Sequence, residues 1–87
     1  MKVFEFNPST GERGSLIAEI ARPDSVGNIS RKSCILPKMV DANWMVADEL
    51  KDRNNRPITF DRPVCFCLGQ WTAGTDTAWE WVAYLPN

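Results

Sequence analysis

The chain has 87 residues, 44% of them hydrophobic and 24% charged, and its 10 basic and 11 acidic side chains leave a net charge of −1. That length allows one domain, 1–87, with a small core, and the apolar content excludes wholesale disorder. The balanced charge excludes an overall surplus of Lys and Arg of the kind that duplex-binding domains use to neutralise phosphate.

Met1-Lys2 leads directly into a strand pattern rather than the apolar core of a secretory leader. No run approaches the roughly 18 apolar residues of a membrane span. Three cysteines are an odd count for a secreted disulfide framework. The expectation is a reducing cytoplasm, free thiols and no membrane.

Val3 to Phe6 reads as a first strand with Phe4 and Phe6 on one face, because side chains alternate along a strand. Asn7 to Glu12 is a loop built on Pro8 and Gly11. Ser15 to Ala21 is a second strand, with Leu16, Ala18 and Ile20 on one face. Pro23-Asp24 and Gly27-Asn28 bracket a turn, and Asn28 to Leu36 is a weakly patterned third strand, suited to an edge and limited by Pro37. The stretch 42–52 carries both periods: Trp44, Ala47, Leu50 and Lys51 fit a helix, whereas Ala42, Trp44 and Val46 alternate as in a strand. Ala, Met, Glu, Leu and Lys favour helix, and Asp41 is a fitting N-cap, so a helix is predicted. Asp52 to Pro57 ends it with strong breakers. Ile58 to Phe60 is a short extended piece. Val64 to Trp71 and Ala78 to Leu85 then form a β-hairpin around a turn-rich Thr72–Thr77. The predicted class is α+β, mainly β: a twisted antiparallel sheet or small partly open barrel of five or six short strands, with one helix at about 42–52.

Histidine is absent, which removes the commonest general base near neutral pH and the commonest metal ligand. Asp48, Glu49 and Asp52 are the densest carboxylates, but Lys51 and Arg53 beside them favour a solvated face. Cys65 and Cys67 point the same way on a strand. With Cys34 they make three thiols, one short of a structural zinc site. Packing as small hydrophobes is the expected role. The glycines lack the Lys and Ser/Thr of a phosphate loop. No enzyme activity, metal or cofactor is therefore expected.

The aromatic residues lead to a different expectation. Trp71, Trp79, Trp81 and Tyr84 fall within the last 17 residues, and Trp44 makes four indoles in all. A core this small leaves some of them for a contact surface, where Trp, Tyr and Arg dominate binding energy. The candidate binding residues are Trp71, Trp81, Tyr84, Arg53, Arg56, Arg31 and Lys32. The expected partner is a larger protein or protein complex. The alternative is single-stranded nucleic acid, with bases stacked on aromatic rings and phosphates held by Arg or Lys. In size, acidity and lack of catalytic groups the chain is similar to small acidic accessory proteins of bacteriophages and other mobile elements. That similarity implies an inhibitor that works by occupying a host surface.

Overall fold

In the computed structural model, residues 1–28 and 42–86 are described. They form seven strands: β1 (Lys2–Asn7), β2 (Glu12–Glu19), β3 (Ser25–Asn28), β4 (Ala42–Lys51), β5 (Pro57–Ile58), β6 (Val64–Ala73) and β7 (Asp76–Tyr84). The strands make one open mixed sheet in the order β2-β1-β6-β7-β4-β3. Every pairing is antiparallel except that of β4 with β7. β5 pairs with β4 at Leu50 and Lys51, on the edge opposite β3 and beyond the end of β7.

There is no helix among the described residues, which corrects the helix predicted over 42–52. That stretch is β4, and neighbours on both edges account for it. Ala42 to Ala47 pair with Trp79 to Tyr84, and Ala47 to Lys51 pair with β3. Helix propensity amounts to a few tenths of a kcal/mol per residue, and strand pairing with burial on both faces outweighs it. Both faces of β4 are used: Ala47 and Leu50 are buried, and Trp44, Met45 and Val46 are partly buried. Ser25–Asn28, read from sequence as turn, is strand β3. Gly27 belongs there because a Cβ would come within 3.1 Å of Asp48 Oδ1, at a register shift opposite β4. The strand predicted over 28–36 lies, apart from Asn28, outside the described residues.

The hairpin of β6 and β7 follows the sequence pattern closely. Ala73 faces Asp76, so the loop is Gly74-Thr75, and Gly74 has φ 62°, the sign that a type II′ turn requires at its first position. Gly69, at φ 136°, sits at the bulge in β6 where Leu68 is the extra residue. The β1–β2 turn is closed by a bond from the Gly11 N–H to the Asn7 carbonyl, and the Asn7 side chain accepts the Ser9 N–H.

The sheet has two differently filled faces. One carries Val3, Ala47, Leu50, Val64, Phe66, Val82 and Tyr84, all buried. Ala18 and Ile20 from the β2 side and Val26 from β3 pack on this same cluster, although those strands sit at opposite ends of the strand order. The sheet therefore curls toward this face. Chain length alone requires it. Flat, six strands at about 4.8 Å spacing would set β2 and β3 roughly 24 Å apart. The five residues from Ile20 to Asp24 that join them reach about 20 Å at full extension. The curl leaves the opposite face convex, and the candidate site lies there.

Candidate binding surface

Phe4 and Phe6 of β1, Trp44 of β4 and Trp81 of β7 all project from the convex face. β6 and β7 lie between β1 and β4, so the flanking strands are about 14 Å apart. The rings nevertheless touch. Phe6 stacks on Trp44 at 6.1 Å, Trp44 on Trp81 at 5.5 Å, and Phe4 lies tilted against Trp81 at 6.3 Å. Small residues on the middle strands make this contact possible. Cys65 and Ala83 face each other there, both fully buried, and the large rings close over them. The result is a continuous row, Phe6–Trp44–Trp81–Phe4, in which Phe6 is buried and the other three rings are partly exposed. The Arg13 guanidinium caps its end, 4.7 Å from the Phe4 ring centre and 5.4 Å from that of Trp81, in cation–π geometry. The indole N–H of Trp44 is buried, with no hydrogen-bond acceptor among the described residues.

Trp79 continues this face two residues before Trp81 and is 50% exposed. Alternation also places Lys2, Arg13 and Glu19 on it, so its charges are mixed in sign. Beside it, Glu5, Phe6, Asn7, Glu12, Arg13 and Gly14 line a shallow cleft of about 260 Å³. Among the described residues no group of three or more His, Cys, Asp or Glu is placed to hold a metal. No helix among them is long and apolar enough to cross a membrane.

The residues singled out from sequence separate in space. Trp81 belongs to the aromatic row. Tyr84 does not belong to the free surface: it is 5% exposed, on the concave face, with its ring edge-on to Phe60. Trp71 lies in β6 opposite Ala78. Arg53 and Arg56 are exposed in the β4–β5 turn. Asp52 holds that turn by accepting the N–H groups of Asn54 and Arg56. The turn follows Lys51, seven residues and about 23 Å along β4 from Trp44. Arg31 and Lys32 lie outside the described residues. The sequence reading missed Phe4, Phe6 and Arg13 as parts of one surface with Trp44. The shared face of Phe4 and Phe6 was visible, but the strand order that brings β1 toward β4 was not.

Cys65 and Cys67 are free thiols on the convex side. Burial pushes the Cys65 thiol up to about 11, against the opposing pull of nearby Arg13. Cys65 is therefore expected to resist iodoacetamide at pH 8 in the folded protein and to react in denaturant, read site by site by mass spectrometry. Its folded pKa lies above the unfolded value of 9.0, so the unfolded chain loses the proton first. Its contribution is thus present below pH 9 and is lost as pH rises from about 9 to 11. Rapid alkylation of Cys65 in the folded state would show that the rings do not cover it.

Comparison with protein-family models, with curated proteins and with solved structures finds no match.

Proposed function

We infer that the chain is a protein-binding module that occupies a surface of a larger protein or protein complex through its convex face. The observation that carries this reading is half-exposed Trp79 beside the partly exposed rings of Trp81, Trp44 and Phe4, which pack on buried Phe6 and are capped by Arg13. Rigid aromatic rings with one Arg are the residue types that concentrate binding energy, since they bury large areas at little entropic cost. The mixed charges of the face favour a protein over nucleic acid, which calls for a basic rim. Blocking a functional surface of the partner is also how such a module inhibits, in the manner of the mobile-element accessory proteins it resembles in size and charge.

The test is capture from a nuclease-treated lysate on the immobilised full chain, with bound proteins and nucleic acids both identified. The parent is expected to retain a protein. Trp79→Ala, which changes a half-exposed side chain, is expected to keep the fold by circular dichroism while weakening retention at least about tenfold through a faster off-rate. Retention unchanged in Trp79→Ala but lost in Arg56→Ala would move the site to the β4–β5 turn. Retention of single-stranded nucleic acid in place of protein, in untreated lysate, would replace this reading with base stacking.

A further inference from the structure

We propose that two copies of the chain pair edge to edge through β2, antiparallel, about a twofold axis at Leu16. This proposal concerns a different part of the sheet from the binding reading above and shares only Arg13 with it. Among the described residues β2 pairs only with β1 and forms one end of the sheet. An open edge of this kind is a template for another strand unless something blunts it. The usual devices, Pro and Lys, are absent from Glu12–Glu19, and its charges sit at its two ends. Between them Leu16 is 49% and Ile17 37% exposed, two of the three large apolar side chains exposed on the described surface.

The register identifies a second copy as the occupant. β2 carries two more residues than β1 over their pairing, one between Arg13 and Leu16 and one between Leu16 and Ala18. Bulges normally spoil an edge for a regular partner strand. Here they leave Arg13, Leu16 and Glu19, each three residues apart, all on the convex side, paired with Phe6, Phe4 and Lys2 respectively. A twofold axis through Leu16 sets Arg13 of each copy opposite Glu19 of the other, and Leu16 opposite Leu16. Residues 14–15 of one copy then face 17–18 of the other, so the bulged intervals match in length. A regular strand matches neither interval; an identical chain matches both. Two charge-complementary pairs flank an apolar centre, and the convex faces of the two copies lie on the same side of one continuous sheet. Among the described residues Arg13 has no ion-pair partner within its own chain.

Sedimentation equilibrium of the full chain, from about 1 μM to 1 mM at low salt, tests this. The parent is expected to move from one chain of 9.8 kDa toward two as concentration rises. Leu16→Lys sets like charges on the axis and is expected to abolish association while leaving the exposed site folded. Arg13→Glu and Glu19→Arg are each expected to weaken self-association at least tenfold. Mixed one to one, these two variants are complementary at both pairs and should form a heterodimer, and the double variant should regain parental association. A parent that stays at one chain throughout, or a dimer indifferent to Leu16→Lys, would overturn the proposal. If Arg13→Glu does not fold because it has left the Phe4 and Trp81 rings, Leu16→Lys and Glu19→Arg decide alone.

Discussion

Replacing Phe66 by alanine is expected to cost about 3–5 kcal/mol of folding stability, the range seen when a fully buried aromatic ring is truncated. Among the described residues Phe66 is the largest side chain with no exposed surface, and it sits on the concave face between Val3 of β1 and Val82 of β7. It is thus the point where the β1–β2 half of the sheet meets the hairpin. Small domains have only about 5–10 kcal/mol in total, so the variant should unfold at a much lower denaturant concentration or not fold at all. A matched Trp79→Ala variant should cost less, about 1–2 kcal/mol, because half of that residue's surface is already in water. Equal midpoints for Phe66→Ala and the parent would show that the concave cluster is not the core.

Enlarging Ala83 acts on the other face. Ala83 and its cross-strand neighbour Cys65 are fully buried beneath the rings of Phe6 and Trp44. Leucine at position 83 adds three carbons where the rings close over the sheet. Overpacking of this kind costs about 1–3 kcal/mol. The sharper consequence is local: the Phe6–Trp44 and Trp44–Trp81 stacks must open, so the near-ultraviolet circular dichroism of the indoles should collapse toward zero while the far-ultraviolet spectrum keeps its β form. Partner capture should fall with it. An unchanged near-ultraviolet spectrum would mean that Ala83 does not support the stack.

The parts of this architecture visible in the sequence are those set by neighbours in the chain. The strand at Val3 to Phe6 and the hairpin at Val64 to Leu85 follow from alternation and from Gly74 in the turn. The errors arise where distant strands decide. Residues 42–52 carry a helical composition, yet β4 is held by β7 and β3, which lie far along the chain. Gly27-Asn28 has the composition of a turn, but pairing with Glu49 and Ala47 of β4 makes it strand. The concave or convex fate of each aromatic followed the same rule. Alternation along β7 puts Trp79 and Trp81 on one side and Val82 and Tyr84 on the other, without saying which pair faces inward. Which pair it is depends on the direction of curl, and the sheet curls over Val82 and Tyr84, which pack with Val3 and Phe66. Tyr84 therefore moved from candidate contact to the concave core, and Phe4 and Arg13 lie with Trp81 on the convex side, over buried Phe6.

Binding through the convex face is tested most directly by photo-crosslinking in the cells that make the protein. A benzophenone amino acid replaces Trp79, beside Ala42 at the start of β4, or Thr59, exposed beyond β5 at the other end of that strand. The two positions are about 23 Å apart along β4, because the chain beyond Ile58, which faces Leu50, runs back toward Glu49. Crosslinking of one partner protein from position 79 and not from position 59 is the expected result. Capture of that protein from position 59 alone, with position 79 silent, would contradict it.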